Sequence, residues 1–493
     1  MKFNGNRPTI PFRYLFIIGL AFILLLVIAV PRLLDLNHFA TTDETLWLGR
    51  GGKFYYALAH HDLTFARNHP GVTVMWAGLA SFVLEDPEYK KGRGDAEHAP
   101  SLYSLKRRQP DLPLQLLVTG RRILILFNTL VLLTSFLFAR QLLGWLPALA
   151  GFLLIAFDPF HIALSRVLHL DGTLANLMLL SVLAFLAYLE KRHKIALVVS
   201  AVAAGLAWLT KSPGLFLIPF MVLLIVLYRL YRNTEWDKGS WGKILFSDAK
   251  VLVVWGAIAA LVFVLFWPAM WVNPIGSLRS VIGAALGYAE EGHESAVFFN
   301  GQIYPDGQIP DIRFYPISFL WRTTPVTLLG LIAIPFLFFR KKPVSQPEGE
   351  LWPDSNSASN VATQKWVVVM LLLFAVEFGA FMTIGLKKFD RYIIPSFVFL
   401  DLAAGVGLIW LIDWAAHFFR GKWRTAAVCI ILLGLIAVQA SLAWNTFPYF
   451  FSYYNPLLGG GRRAAAMMQI GWGRAWMRQH ATSIKNPMRS GCR

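Results

Sequence analysis

Blocks of roughly twenty apolar residues recur along this 493-residue chain, and they limit what it can fold into. About twenty residues of helix cross a hydrocarbon layer of ~30 Å. In such a layer every backbone polar group must be satisfied internally, so only helices or closed barrels span it. A barrel would show ~10-residue alternating strands, and no such alternation persists here. The blocks therefore predict an all-α polytopic membrane protein with about eleven spans, at 12–33, 120–139, 144–160, 172–189, 195–210, 214–231, 251–271, 324–339, 366–385, 393–411 and 425–443. Composition agrees: 56% of residues are hydrophobic and 15% charged, where a soluble domain is nearer a quarter charged.

The first block, Pro11 to Val30, follows Lys2, Arg7 and Arg13. It exceeds a signal-peptide core and lacks a small-x-small cleavage site, so it reads as a retained span. The two cysteines, Cys429 and Cys492, build no disulfide framework and match no metal spacing.

The net charge of +18 is distributed in a way that orients the helices. With a cytoplasmic N-terminus, the inside links hold Arg140, then Glu190 to Lys194. They continue with Arg229, Arg232, Lys238, Lys243 and Lys250, then Arg340 to Lys342, and finally Arg420, Lys422 and Arg424. That is the positive-inside pattern. No basic stripe or recognition module accompanies the charge, so nucleic acid is not an expected partner. The inside link 341–365 is Ser/Asn/Pro-rich and reads as a tether. Two outside links are long, 34–119 and 272–323, and rich in aromatics, Gly, Pro, His and acids. Long loops on a rigid scaffold commonly carry function. No repeat of 20–50 residues and no inverted pair of broken spans is evident.

The ionisable candidates gather on the outside links. Asp43-Glu44 places two adjacent carboxylates beside the membrane, suited to a general base, a metal ligand or a cation partner; Thr42 or Asp43 could equally cap a helix. His60-His61-Asp62 and Asn68-His69 lack the His-x₃-His spacing of a zinc site. Arg166, His169 and Asp171 lie within six positions, and Arg166 and His169 would share a helical face. An interfacial ion pair of Arg166 with Asp171 serves as well. Lys211 breaks the positive-inside pattern between two spans, where it could also simply reach water. Lys387-Lys388-Phe389-Asp390-Arg391 is a compact anion site, with arginine's fork and lysine's point charge suited to phosphate. The large loop adds His293, able to act as acid, base or orienter, and Arg322. Asp43, Glu44 and His293 could share a divalent metal. Inside the spans, Glu377 and Asp401 read as helix-packing acids facing the bundle interior.

Several segments, taken in order, resemble the lipid-carrier-dependent glycosyltransferases of the protein O-mannosyltransferase and aminoarabinose-transferase superfamily, which share the GT-C fold (a glycosyltransferase family 39-like pattern). They are Asp43-Glu44, Ser165-Arg166 through Leu170-Asp171-Gly172, Gly205-Leu206-Ala207 through Thr210-Lys211, and Lys388-Phe389-Asp390-Arg391-Tyr392 with Pro395. The resemblance runs from about residue 10 to about 473. It implies a GT-C bundle over 1–443 and transfer of a sugar from a polyprenyl-phosphate donor to a hydroxyl of a protein, lipid or glycan acceptor. The reaction would occur on the extracytoplasmic side of the cell membrane, with inversion because a single displacement needs one base. Asp43 would be that base and Glu44 would help hold acceptor or donor. Arg166 and Asp171 would shape the site, with His169, His293 and Arg322 in support. Lys211, Lys388 and Arg391 would bind the donor phosphate.

Tyr453 to Gly460 resembles the family's post-membrane motif. Residues 444–493 are expected to form a short extracytoplasmic tail, whose basic end reads as truncated. The competing readings are a transporter or flippase of lipid-linked sugars, which would place ionisable groups at mid-membrane, and a polysaccharide ligase or polymerase.

Overall fold

The computed structural model describes residues 12–63, 70–91, 98–232, 241–290, 293, 296–305, 307–339 and 361–470. Lys2, Arg7, Asn68, His69, Lys238, Arg340 to Lys342, most of the 341–365 tether and the basic residues beyond 470 lie outside them. A helix occupies each apolar block. They are α1 (Phe12–Leu33), α5 (Leu112–Leu143), α6 (Trp145–Phe157), α8 (Leu170–Lys191), α9 (Lys194–Thr210) and α10 (Leu217–Tyr231). The remainder are α11 (Trp241–Phe266), α15 (Pro325–Leu337), α16 (Val361–Ile384), α17 (Ile394–Ala415) and α18 (Lys422–Trp444).

Among the described residues, seven helices are long and apolar enough to cross a membrane, or nine if each of two bent pairs is one span. The expected eleven are not all reached because the apolar stretch Gly19–Leu33 and the 17-residue α9 are short. The bent pairs are α6 with α7 (Pro159–Ser165), broken by 66° at Asp158, and α14 (Phe314–Arg322) with α15, broken by 116° at Thr323-Thr324. A proline opens α7 and α15, where it costs no helical hydrogen bond.

The long links fold into structure of their own. The first carries α2 (Thr42–Ala59), α3 (Val72–Glu85) and α4 (Leu102–Arg108). The second carries α12 (Ala269–Val272), α13 (Pro274–Glu290), α14 and a hairpin of β1 (Val297–Phe299) with β2 (Gln302–Tyr304). At the other end, α19 (Gly460–Ala464) closes the described chain, and Phe299 bridges to Met468.

The core centres on α8 and α17, which are almost wholly enclosed, whereas α11 and α18 expose apolar faces such as Val253, Leu261 and Leu433. Close backbone approach makes this possible. A Cβ on Gly405 would sit 2.2 Å from the Gly151 nitrogen, and one on Gly407 would sit 2.0 Å from the Gly330 carbonyl oxygen. Small residues let α6, α15 and α17 meet at dispersion distance, the way helices associate in an apolar solvent. Arg32, fully buried, locks the end of α1 to the α6–α7 break. Its Nε donates to Ser165 Oγ (2.8 Å), and its Nη atoms donate to the Ala156 and Ile155 carbonyls (3.1 and 3.2 Å).

Candidate active site

Five ionisable side chains from distant parts of the chain meet where the long links cover the helix ends. The first turn of α2 supplies Asp43, the loop and first turn at the start of α8 supply His169 and Asp171, the end of α9 supplies Lys211, and the turn before α17 supplies Arg391. Asp43 Oδ2 lies 3.3 Å from His169 Nε2 and accepts from Arg391 Nη2 at 3.2 Å. Asp171 Oδ1 accepts from Lys211 Nζ at 2.7 Å, and its Oδ2 lies 3.4 Å from both His169 Nδ1 and Arg391 Nε. Lys211 sits 4.1 Å over the Tyr392 ring. Two carboxylates thus balance two fixed cations around one imidazole. Burial by itself would raise the Asp43 carboxyl, but the hydrogen bond with His169 and the charges of Arg391 and Lys211 outweigh it and hold it at about 2.

Glu44 faces elsewhere. It is fully buried and accepts from Arg121 Nε and Nη2 (both 2.6 Å), from the Leu168 amide (2.8 Å) and from the Thr41 amide (2.9 Å). The Thr41 contact is the reciprocal half of a capping box, so the cap of α2 is Thr41, not Thr42 or Asp43. Burial would raise Glu44, yet Arg121 and the two amides hold it below the ordinary carboxylate range. Glu44 therefore fixes the turn that presents Asp43.

The Arg166–Asp171 ion pair does not form. Arg166 ends α7 and donates instead to the Pro448 carbonyl (3.0 Å), the Asp35 carbonyl (3.0 Å) and the Leu34 carbonyl. The chain turns between α7 and α8, so Arg166 and His169 share no helical face. Nor do Asp43, Glu44 and His293 surround a metal. His293 Nε2 accepts the Lys388 amide (2.9 Å), and among the described residues no group of three or more His, Cys, Asp or Glu could hold an ion. His60 turns its Nδ1 to the Tyr56 carbonyl (2.9 Å). Burial, then Lys387, keep His293 below its ordinary value and hence neutral, as an acceptor must be.

Beside the five lies a cavity of about 600 Å³. Its walls are aromatic (Phe160, Phe389, Phe451 and Tyr454 among them), and Arg322, Lys388 and Arg391 supply its cations. Arg322 Nε donates to Asp390 Oδ2 (2.8 Å), and its Nη1 donates to the Phe451 and Tyr453 carbonyls (both 2.9 Å). Lys388 Nζ donates to the Pro310 carbonyl (3.0 Å), and burial lowers its ammonium against the pull of Asp311. Lys388 thus lines the cavity wall.

Arg121 and Asp390 complete the site and were not anticipated. Arg121 carried a signal, since a charge inside a span is costly without a partner. Asp390 stood in the basic cluster without a visible partner. Of the two mid-span acids, Asp401 is buried and accepts from Thr327 Oγ1 (2.7 Å), while Glu377 is half-buried.

The helical bundle with its two long structured links has the GT-C fold. Residues 117–271 match the family model described as dolichyl-phosphate-mannose-protein mannosyltransferase. The Saccharomyces cerevisiae protein O-mannosyltransferase complex Pmt1-Pmt2, bound to its sugar donor, superimposes with a TM-score of 0.56 at 11% identity over 90% of this chain and 91% of that one. ArnT from Cupriavidus metallidurans, bound to undecaprenyl phosphate, gives a TM-score of 0.49 at 17% identity over 88% and 72%. The Archaeoglobus fulgidus oligosaccharyltransferase gives 0.49 at 11% identity over 98% and 59%. No curated protein sequence matches the chain. The likeness to these structures is one of fold, and the match to the mannosyltransferase family model covers residues 117–271.

Proposed function

We propose that this protein transfers a sugar from a polyprenyl-phosphate carrier to an acceptor hydroxyl, with inversion, on the extracytoplasmic face of the membrane. The observation that carries the reading is the approach of Asp43 to Arg391, a carboxylate and a forked cation at one point. Breaking the bond from sugar to phosphate develops negative charge on the leaving oxygen and positive charge on the sugar. Arg391 and Lys211 stand ready to offset the first, as preorganised charges do in a water-poor site. Arg322 and Lys388 extend the cationic surface along the cavity, whose aromatic faces suit a sugar ring.

Asp43 is the base. With Arg391 and His169 against it, its carboxylate is ionised at every physiological pH but weakly basic. A donor phosphate competing for Arg391 removes that restraint, so the base strengthens when the donor is seated. An apolar groove of about 350 Å³ lined by Thr73, Trp76, Phe127 and Phe266 lies alongside. Thr73 is hydrogen-bonded to Thr210, next to Lys211, so an isoprenoid chain in this groove would bring its phosphate to the cations.

The reading is tested with purified protein in lipid nanodiscs supplied with polyprenyl-phosphate sugars. Asp43→Asn should leave folding and donor binding intact and abolish transfer; turnover at the wild-type rate would refute the assignment. Mass spectrometry of glycans and lipid-linked sugars in cells lacking the protein would name the sugar and acceptor.

A further inference from the structure

We propose that the Tyr315 hydroxyl donates a hydrogen bond to a hydroxyl of the sugar being transferred, and so selects which sugar the site accepts. This rests on the transfer reaction above and names a residue that reads the sugar rather than the phosphate.

Tyr315 sits in the first turn of α14, 2% exposed, and among the described residues its Oη has no hydrogen-bond partner. Tyr315 and Arg322 stand at i and i+7 of that helix with Ser318 at i+3, so the three share one face. Arg322 lines the cavity, and so does Phe314, whose ring meets that of Tyr315 edge-on at 5.1 Å. Ser318, wholly buried, likewise has an Oγ without a partner among the described residues. This face is turned to the Asp390–Ile393 turn. Arg322 Nε donates to Asp390 Oδ2, and the charges of Asp390 and Asp171 both act on the Tyr315 hydroxyl. Tyr315 is thus within reach of the cavity wall, through Asp390, and of the cluster around Asp43, through Asp171.

A buried hydroxyl with no partner costs free energy that folding alone does not return. A ligand that supplies the partner recovers it. Burial, with Tyr392, Asp390 and Asp171 adding to it, pushes the phenol well above its ordinary value, so it stays protonated and acts as a donor. An anion brought to it would meet the charges of Asp390 and Asp171, and the phosphate already has Arg391 and Lys211. A neutral polyol meets no such repulsion. A sugar hydroxyl accepts from a phenol and donates to a carboxylate at once, and Asp171 Oδ2 is buried and takes no hydrogen bond among the described residues. A site built to hydrogen-bond a substrate hydroxyl rejects the analogue that lacks it far more strongly than an apolar pocket rejects a misfit. That is how one phenol can set the choice of sugar.

The test uses the full chain in detergent. Calorimetry compares farnesyl phosphate with farnesyl-phosphate mannose, glucose, galactose and arabinose, and with their mono-deoxy analogues. Tyr315→Phe should bind the glycoside that wild type prefers about tenfold more weakly, with farnesyl phosphate affinity unchanged. One mono-deoxy analogue should bind wild type about tenfold more weakly than its parent and bind the variant as well as its parent does. A purely structural role would not produce that coupling. The ligand-free variant should melt no lower than wild type, because the hydroxyl it lacks had no partner. An unchanged glycoside affinity, an equal loss for farnesyl phosphate, deoxy effects that simply add, or a lower melting temperature overturns the proposal. Failure of Tyr315→Phe to fold overturns it too, since a hydroxyl without a protein partner is not needed for folding. Binding of farnesyl phosphate with none of the glycosides removes the sugar contact alone, whereas binding of neither kind of ligand removes the transfer reading as well.

Discussion

Arg391 Nη2 stands 3.2 Å from Asp43 Oδ2 across 348 positions of sequence, while its Nε lies 3.4 Å from Asp171. One guanidinium therefore touches both site carboxylates, and a phosphate that binds here must compete with them. Arg391→Ala should raise the donor KM by about tenfold or more, since hydrogen bonds to charged groups are worth roughly 1.5–3 kcal/mol. It should also lift the Asp43 carboxyl, whose low value depends partly on this contact. Donor titrations of the purified variant check the first effect.

The Asp43 carboxyl is held at about 2. A depressed carboxylate contributes stability that is complete above its unfolded value of about 4 and is lost as pH falls through its folded value. Wild-type protein should lose this share of stability between about pH 4 and 2, and Asp43→Asn should not. Thermal melts across that window distinguish them. An acid limb of activity near neutrality cannot come from Asp43, because Asp43 stays ionised there.

Glu44 and Arg121 form a buried pair that ties down the turn carrying Asp43. Removing one member strands a charge and costs about 3–5 kcal/mol. Glu44→Ala should therefore be recovered as unstable protein. Glu44→Gln with Arg121→Met should regain much of the stability, because no charge is left unpaired. Size-exclusion profiles and melting temperatures report the difference.

His293 accepts the Lys388 amide as a neutral imidazole, its proton affinity lowered by burial and by Lys387. A histidine lowered on folding contributes stability that is full above its unfolded value of about 6.5 and declines as pH falls from there toward its folded value. Amide exchange over residues 387–392 should quicken below about pH 6. In His293→Ala that exchange should be fast at all pH values.

The helices were legible because a membrane span repeats one strong requirement, twenty apolar residues. Their bends were less so. Asp158-Pro159 and Thr324-Pro325 mark a capped helix start in the sequence, but not the 66° or 116° at which the second helix leaves the first. In the site, Asp43, Asp171, Lys211 and Arg391 were legible as charges at loop ends, and the structure brings them into contact. Glu44 and Arg166 looked equally available, but their partners, Arg121 and the backbone carbonyls at Leu34, Asp35 and Pro448, are remote in sequence. Adjacent residues on one helical turn face different surroundings, and that separated Asp43 from Glu44.

The central claim is that Asp43 and the facing cations transfer a sugar from a polyprenyl phosphate. The most direct measurement is release of polyprenyl phosphate from a radiolabelled polyprenyl-phosphate sugar by the protein in nanodiscs, with and without a hydroxyl acceptor. Acceptor-dependent release by wild type, reduced about 10²-fold or more by Asp43→Asn, is the predicted result. Release that is equal in the two proteins, or donor that binds and is recovered intact with every acceptor offered, would contradict it.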